Sequence, residues 1–244
     1  MELNLKGKSV LIAGLGLGLG RSTAEAFAKK GADVFAISRS EKDLGEINLK
    51  KIFIGDLTED GKVLEAVKSL EPENGFDAVV HCIGDSKGFA RDPLSNWEEW
   101  GKALKLNVGI AMNINTLVVP KMKDKKYGRI VHIGSISGDH LLGQATYCGS
   151  KSLLEDYSKM LSRQLAPDGV VVSCIRPGAF EFPGGYWESQ LAEKKGNFIK
   201  NHVKAGRLGR PDDIVPFILL LSSELASYAS GTSLNIDGGY GAYV

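Results

Sequence analysis

The sequence predicts an α/β fold in which one parallel sheet is covered by helices on both faces. Short apolar runs alternate along the whole chain with segments whose apolar residues recur at helical spacing. This βαβ alternation is typical of parallel sheets, which are buried on both faces. The 244 residues contain no composition shift, no proline- or serine-rich linker and no internal repeat, which indicates one domain over residues 1–244.

The first quarter of the chain contains three predicted strands and one helix. Residues 9–13 form a short apolar run that ends in glycines, as buried strands often do. Residues 21–30 carry apolar side chains at helical spacing, and Gly31 ends this helix. Residues 34–37 and 51–54 are the second and third strands.

The middle of the chain continues the alternation. Residues 59–69 place three aliphatic side chains on one helical face, and residues 78–83 form the fourth strand. Residues 97–122 are a long, mostly apolar helical stretch. Residues 129–133 are the fifth strand, and residues 145–165 are the helix that follows it.

The C-terminal part completes the sheet and contains one departure from the alternation. Residues 170–175 and 233–236 are the last two strands, and residues 211–221 form a helix that begins with a proline and two aspartates. Residues 180–204 contain aromatic side chains beside a proline and two glycines, followed by a charged helix. Because this excursion follows a strand's carboxyl end, it is predicted to be a lid over a site.

Composition excludes several classes of function. Lys plus Arg is 30 and Asp plus Glu is 29, so there is no bulk positive charge to attract nucleic acid or an anionic membrane. Cys82, Cys148 and Cys174 are widely spaced, which predicts reduced thiols rather than a disulfide framework or a zinc site. The start of the chain does not resemble a signal peptide, and residues 215–221, the longest apolar run, are too short to span a membrane. We therefore expect a soluble, cytoplasmic protein without a metal site.

A glycine-rich loop follows the first strand and opens a helix. Glycines at 14, 16, 18 and 20 let the backbone approach a pyrophosphate, and the helix start supplies free N–H groups and a positive dipole. The strict G-x-G-x-x-G spacing is absent, and the bare repeat is also compatible with a merely flexible loop. The residues predicted to contact a dinucleotide here are Gly14, Leu17, Gly18 and Leu19.

The end of the second strand indicates which dinucleotide binds. NAD sites place an acidic residue there to bind the ribose 2′-hydroxyl, whereas this chain has Ser38 and Arg39. An arginine fork suits a 2′-phosphate, so NADP(H) is predicted in preference to NAD(H). Arg39 as a merely solvated side chain is the alternative. Asp56 and Leu57 follow the third strand, where an adenine would lie, although Asp56 could equally be a turn residue.

Tyr147 and Lys151 form the sharpest motif. At i and i+4 they share one helical face, and an ammonium beside a phenol is expected to lower the phenol's pKa so that it can exchange a proton with a carbonyl or alcohol oxygen. Ser135 ends the fifth strand 12 residues earlier and could hold the same oxygen. Asn107 lies midway in the long helix, where it could hold a proton-relaying water or be a satisfied core amide.

These motifs, taken in order, resemble the short-chain dehydrogenase/reductase family over essentially the whole chain. The matching elements are Gly14-x-x-x-Gly18-x-Gly20, Asp56-Leu57, Asn107, Ser135, the Tyr147/Lys151 pair, Arg176-Pro177-Gly178 and Gly231-x-x-x-Asn235-x-Asp237-Gly238-Gly239. The resemblance implies a Rossmann-like, doubly wound domain with a seven-stranded parallel sheet, NAD(P)-dependent hydride transfer and a catalytic tetrad of Asn107, Ser135, Tyr147 and Lys151. It also implies cofactor contacts from Tyr147 and Lys151 and from Ile83, Gly84, Pro177 and Gly178.

Within the family, the chain is most similar to 3-oxoacyl-[acyl-carrier-protein] reductases. The likeness is carried by residues 128–131, 144–147 and 205–209 and by the C-terminal stretch. Those enzymes dock an acidic carrier protein on basic residues. Arg129 stands at one such place, but the second is Asp168, a charge reversal that puts carrier docking in doubt.

Other departures concern the loops around the site. The family's usual threonine before the first glycine is Ala13, and its Asn-Asn-Ala-Gly after the fourth strand reads His81-Cys82-Ile83-Gly84. The lid lacks the family's usual threonine. Its aromatic residues with a carboxylate suit a sugar-like or other polar carbonyl substrate, or they pack against the protein body or a second subunit.

The resulting hypothesis is an NADP-dependent oxidoreductase acting on a ketone or secondary alcohol. Reduction of a 3-oxoacyl carrier substrate is one alternative, and a catalytically silent dinucleotide-binding sensor or scaffold is another. A Ser-His-Asp hydrolase is disfavoured because no G-x-S-x-G elbow is present. The helix after Tyr147 carries more apolar side chains than one side of a sheet needs, namely Leu153, Leu154, Tyr157, Met160 and Leu161. The family resemblance implies that this helix and the one carrying Asn107 pair across a two-fold axis into a homodimer or homotetramer.

Overall fold

A computed structural model describes residues 2–41, 46–141 and 143–241. It contains a seven-stranded, fully parallel sheet with strand order β3-β2-β1-β4-β5-β6-β7. The strands are β1 (Ser9–Ala13), β2 (Asp33–Ser38), β3 (Lys51–Ile54), β4 (Ala78–His81), β5 (Gly128–Ile133), β6 (Val170–Pro177) and β7 (Ser233–Ile236). The strand order reverses direction between β1 and β4, and this opens a crevice at the carboxyl ends of the strands.

Eight α-helices lie in the described part of the chain. They are α1 (Leu19–Lys29), α2 (Lys62–Leu70), α3 (Trp97–Leu104), α4 (Ile110–Asp124), the single-turn α5 (Ser137–His140), α6 (Ala145–Leu165), α7 (Ala192–His202) and α8 (Pro211–Leu221). None of the helices within residues 2–41, 46–141 and 143–241 is both long enough and apolar enough to cross a membrane.

Alternation along the strands builds two apolar layers. Val10 and Ile12 of β1 face one side, where they join the apolar faces of α1 and α8. Leu11 and Ala13 face the other side, where α2, α4 and the end of α6 cover them. Register places Leu11 between Phe35 of β2 and Val79 of β4. With both faces covered, the sheet exposes polar groups for chemistry only at the ends of its strands.

Several predicted elements differ from the sequence-based boundaries by a few residues, among them α2, β4 and the helix predicted at residues 97–122. Helix α2 starts at Lys62 rather than Glu59, because Gly61 before it has a left-handed φ of 78° that a helix cannot include. Strand β4 ends at His81 rather than Ile83. The predicted helix 97–122 is divided by a π-helical turn, Lys105–Gly109, and extends to Asp124.

Candidate active site

The glycine-rich loop joins the carboxyl end of β1 to the start of α1. Gly14 has a φ of 101°, and a Cβ there would lie 2.8 Å from the backbone nitrogen of Ile83. At Gly20, a Cβ would lie 2.0 Å from the carbonyl oxygen of Gly14. Leu17 at the tip is exposed and Leu19 is buried, so the leucines have different environments. These two glycines let the loop turn tightly, which presents the first N–H groups of α1 at the crevice.

The end of β2 carries the two residues predicted to select the dinucleotide. Arg39 is exposed and close enough to Asp56 to lower that carboxyl's pKa. Ser38 is buried, and its hydroxyl donates to the carbonyl oxygen of Ser40 at 2.9 Å. Arg39 therefore provides the accessible cation at this edge, whereas Ser38 shapes the turn.

Asp56 serves as a turn residue in this structure. Its Oδ1 accepts hydrogen bonds from the backbone N–H of Thr58 at 2.8 Å and from the Thr58 hydroxyl at 2.7 Å. These two bonds are the largest contributions lowering the pKa of Asp56. Leu57 beside it is buried. The sequence left both readings of Asp56 open, and its side chain adopts the turn role.

Ser135, Tyr147 and Lys151 converge at the carboxyl end of β5. The Ser135 hydroxyl hydrogen-bonds the side chain of Tyr147 and also accepts from the backbone N–H of Ser137 at 3.1 Å. Lys151 is only 4% exposed, and its Nζ lies 5.7 Å from the centroid of the Tyr147 ring. That ammonium donates to the carbonyl oxygen of Ile133 at 2.8 Å. Two hydroxyls and one buried amine thus lie close together at this strand end.

The pKa of Tyr147 differs from the expectation. The sequence predicts that Lys151 lowers it, but burial raises the pKa of Tyr147 to about 12, and the hydrogen bond from Ser135 offsets only part of that effect. Burial also lowers the pKa of Lys151 to about 8. At neutral pH Tyr147 is therefore a protonated phenol, which suits a proton donor.

Asn107 braces the chain beside this point. Its Nδ2 donates to the carbonyl oxygens of Asp85 and Ala103, both at 3.1 Å, and its Oδ1 accepts from the backbone N–H of Asp85 at 3.1 Å. These are the bonds of a satisfied core amide. A Cβ at Gly84 would lie 2.8 Å from Nζ of Lys151 and 2.9 Å from Oδ1 of Asn107. After β4 ends at His81, the backbone at Gly84 passes beside the side chains of Lys151 and Asn107, and Asp85 hydrogen-bonds to Asn107.

Pro177 and Gly178 lie where β6 ends. The N–H of Gly178 donates to the carbonyl oxygen of Ile236 at 3.0 Å, and a Cβ on Gly178 would lie 2.7 Å from Asp237. Both residues therefore lie at the carboxyl edge of the sheet, where the predicted topology places a ligand crevice.

Sequence reasoning missed a buried polar network below this edge. Asn115 of α4 accepts from Nε2 of His81 at 2.8 Å and donates to Nε2 of His132 at 3.1 Å. Nδ1 of His132 donates to the hydroxyl of Ser158 at 2.8 Å. The two imidazoles stack at 4.8 Å. Burial lowers the pKa of both, that of His81 to about 4. Only the register of β4 against β5 pairs these histidines, and one sequence does not reveal that register.

The segment 180–204 contacts the glycine loop. It starts with Phe180 bridged to Gly209, and it continues into α7. A Cβ on Gly18 would lie 2.8–3.0 Å from three ring atoms of Phe182, so this ring packs on the start of α1. Its ion pair, Glu181 with Lys195 at 2.8 Å, helps to hold the segment. No sequence signal indicated this contact.

Two expectations about surfaces need correction. Arg129 is only 3% exposed and donates to the carbonyl oxygens of Ser223 and Gly128, both at 2.9 Å, so it is not a docking cation. Leu154 is buried inside the chain, whereas Leu153 and Met160 of α6 are exposed. The apolar face available to a second subunit is narrower than the sequence predicts.

The loop and the strand ends fit a dinucleotide. A tight glycine turn exposes the first N–H groups of α1, and Arg39 supplies a cation at the end of β2. At Gly84 the backbone passes so close to Lys151 and Asn107 that a side chain would not fit. Within the described residues, no group of three or more His, Cys, Asp or Glu side chains is placed to hold a metal ion. Cys82, Cys148 and Cys174 are free thiols.

Comparisons with known proteins agree with this arrangement. A family model described as enoyl-(acyl carrier protein) reductase matches residues 14–241. The 3-oxoacyl-[acyl-carrier-protein] reductase of Haemophilus influenzae is 31% identical over 245 residues, which cover 96% of this chain and 98% of the relative. The corresponding reductase of Escherichia coli is 30% identical over 247 residues, covering 97% and 98%.

Two solved structures extend the comparison. L-sorbose reductase from Gluconobacter frateurii, complexed with NADPH and L-sorbose, superposes with a TM-score of 0.87 at 26% identity and covers 98% of each chain. A 3-oxoacyl (acyl-carrier-protein) reductase from Agrobacterium tumefaciens with NADP bound has a TM-score of 0.90 at 24% identity, over 98% of this chain and 96% of that one. The second likeness concerns the fold alone.

Proposed function

The chain belongs to the short-chain dehydrogenase/reductase family, and from that premise we propose that it is an NADP-dependent enzyme interconverting a ketone and a secondary alcohol. The observation that carries the proposal is the convergence of Ser135, Tyr147 and Lys151 at the carboxyl end of β5. A silent sensor or scaffold would have no use for a hydroxyl pair beside a buried amine.

The protein's part in the reaction is to hold and protonate the carbonyl oxygen. Ser135 donates a hydrogen bond to that oxygen, and the protonated phenol of Tyr147 transfers its proton to it as the carbonyl is reduced. Lys151 stabilises the phenolate that remains, since its ammonium lies near the ring. NADP(H), when bound, supplies or accepts the hydride. Asn107 keeps the backbone at Gly84 and Asp85 in place and could hold a relaying water.

The cofactor preference rests on Arg39. An exposed guanidinium at the end of β2 can pair bidentately with a 2′-phosphate, and no acidic residue stands there to bind a 2′-hydroxyl. The loop residues Gly14, Leu17, Gly18 and Leu19 would hold the diphosphate. The remaining predicted contacts are Ser38, Asp56, Leu57, Ile83, Gly84, Tyr147, Lys151, Pro177 and Gly178.

The substrate we favour is a sugar-like or other polar carbonyl compound. Residues 180–204 would form the lid, and they carry aromatic side chains and carboxylates, a combination that suits polyhydroxylated ligands. The structural relative complexed with L-sorbose supports this class. Reduction of a 3-oxoacyl carrier substrate is the second candidate, supported by the 31% identical reductase. Against it, Arg129 is buried, and Asp168 pairs with Lys126 at 2.7 Å.

We also propose a homodimer or homotetramer formed through α4 and α6. Leu153 and Met160 expose apolar surface on α6, and Tyr157 lies half-buried beside them. Sedimentation at micromolar concentration should show a species of at least twice the chain mass. A monomer, or an oligomer that Met160→Glu leaves intact, would contradict an interface on this face.

A cofactor and substrate screen tests the proposal. The protein is incubated with NADPH or NADH and with ethyl acetoacetate, L-sorbose or another ketose. Oxidation of the reduced cofactor is followed by the loss of its nicotinamide absorbance. We expect turnover with NADPH and faster turnover of ketoses than of the 3-oxo ester. Tight NADPH binding without turnover of any carbonyl compound would instead support the sensor or scaffold alternative.

A further inference from the structure

An ion cluster with a buried centre, Arg176 and Glu155, lies behind the proposed catalytic residues. Arg176 of β6 is 7% exposed, and its Nη1 lies 3.2 Å from Oε2 of Glu155, a carboxylate that is equally buried. Its Nη2 pairs with a carboxylate oxygen of Asp139. Lys159 completes the cluster by pairing with Glu155 at 2.8 Å. The two acids and two bases balance in charge.

Each arm of the cluster belongs to an element that carries part of the site. Asp139 lies in α5, four residues after Ser135. Glu155 lies in α6, one turn after Lys151 and two turns after Tyr147. The stem of Arg176 passes under Gly134, where a Cβ would lie 3.3 Å from its Cγ. One guanidinium therefore bridges the segment bearing Ser135 and the helix bearing Tyr147.

Stability does not explain a charged cluster at this place. Taking charges out of water usually costs about as much as their attraction returns, and apolar replacements of buried ion pairs are often neutral or stabilising. A forked guanidinium does fix geometry, because its two arms bind two carboxylates at set angles. The cluster is therefore better explained by the alignment of the elements it joins.

We propose that Arg176 is a positioning residue that keeps the hydroxyls of Ser135 and Tyr147 in register for a shared carbonyl oxygen. The inference rests on the proposed function of those hydroxyls. Asp139 fixes the turn after Ser135, Glu155 fixes α6, and Arg176 holds the distance between them. A displacement of about 1 Å at a reacting centre lowers turnover by roughly a hundredfold, so loosening one arm has a measurable effect.

Two variants separate alignment from charge. Arg176→Lys keeps the positive charge and loses the fork, whereas Asp139→Asn keeps the fork and replaces the charge-assisted bond of one arm by a weaker, neutral one. Alignment predicts the same result for both, a fall in kcat of about tenfold to a hundredfold with little change in KM or in NADPH affinity. A through-space charge effect predicts normal kcat for Arg176→Lys. The side chain of Asp139 is 51% exposed, so Asp139→Asn tests the arm without risk to folding.

The experiment uses two readouts on the full chain. The first is kcat and KM with NADPH and either ethyl acetoacetate or L-sorbose. The second is the NMR resonance of ¹³Cζ-labelled Tyr147 at pH 7, identified with Tyr147→Phe, which reports the hydrogen bond from Ser135 without any turnover. The matched control is Lys125→Met, which breaks an ion pair with Asp77 (2.8 Å) at the opposite end of β4.

We expect the Tyr147 resonance to move in Arg176→Lys and Asp139→Asn and to stay in place in Lys125→Met. An unmoved resonance in Asp139→Asn, or normal kcat in a folded Arg176→Lys, overturns the inference. Failure of the proposed function looks different, because Tyr147→Phe then turns over as fast as wild type. If neither probe compound is turned over, the resonance alone decides the inference.

Discussion

Two regions of the site are built in opposite ways. One is its floor, by which we mean the proposed catalytic residues and the buried histidine network below them, and the other is the segment 180–204 above it. In the floor, Lys151, Asn107 and His132 are buried, and each has a hydrogen-bond partner on another element. In the segment above, Tyr186 is 60% exposed and Leu191 78% exposed. Its contacts include an ion pair whose side chains are 27% and 34% exposed, and aromatic pairs such as Trp187 with Phe198 at 4.4 Å.

This difference separates two properties of the protein. Buried groups with hydrogen-bond partners on neighbouring elements hold fixed positions and shifted pKa values, which a general acid requires. Exposed ion pairs and peripheral aromatic contacts contribute little each, so the upper segment can open and can vary in shape. We therefore expect substitutions in the floor to abolish chemistry or folding, and substitutions in the upper segment to change affinity by small factors.

The strongest test of the floor is Tyr147→Phe. The ring and its packing remain while the hydroxyl is lost, so turnover should fall by about 10²–10⁴-fold. NADPH affinity, measured by fluorescence titration, should hardly change, because the phenol is not the main anchor of the cofactor. A folded Tyr147→Phe protein with near-normal turnover and lower thermal stability would show that this residue is structural only.

Acid should destabilise the fold through the two buried histidines of the floor, His81 and His132. The folded pKa of His81 is about 4 against an ordinary 6.5, and that of His132 is also far below its ordinary value. The unfolded chain therefore takes up protons first. The free energy of unfolding falls as pH drops below about 6.5, by about 1.4 kcal/mol per histidine per pH unit, until pH passes below the folded pKa.

Denaturant unfolding between pH 7 and pH 4.5 measures this loss, and His81→Asn sharpens it. Asparagine does not titrate, so the variant should lose stability about half as steeply from these two sites. His202→Asn is the control, since that histidine lies in α7, far from Asn115. Equal slopes in wild type and His81→Asn would contradict the assignment.

Some features of the site could be predicted from the sequence, and others could not. Strand and helix order, the placement of Ser135 at the end of β5 and the pairing of Tyr147 with Lys151 all follow from local periodicity and spacing. The raised pKa of Tyr147 and the burial of Arg129 depend on tertiary packing that spacing does not encode. The contact of Phe182 with Gly18 joins residues 164 positions apart through irregular chain, so no periodic pattern could indicate it.

Arg39 tests whether an exposed residue can nevertheless determine specificity. Arg39→Ala removes a charge-assisted contact to the proposed 2′-phosphate and should weaken NADPH binding by about 1.5–3 kcal/mol, roughly tenfold to a hundredfold. NADH affinity should stay unchanged, because NADH has no 2′-phosphate. Equal affinities for the two cofactors in the wild-type protein would remove the basis of the assignment. Lys50→Ala controls for a general loss of positive charge, because Lys50 pairs with Asp33 at the opposite, amino end of β2.

The smallest expected effect concerns the contact of Phe182, in the upper segment, with the glycine loop. The ring of Phe182 packs on Gly18 at the start of α1, where we propose that the diphosphate binds. We expect the ring to limit access to that backbone, so that its contact opposes binding. Phe182→Ala should therefore tighten NADPH binding by about twofold to fivefold, because apparent affinity scales with the fraction of chains whose site is open. Phe198→Ala is the matched control, since that ring contacts Trp187, His202 and Tyr240. Fluorescence titration of both variants decides the point: weaker binding in Phe182→Ala would mean that the ring covers the bound cofactor rather than competing with it.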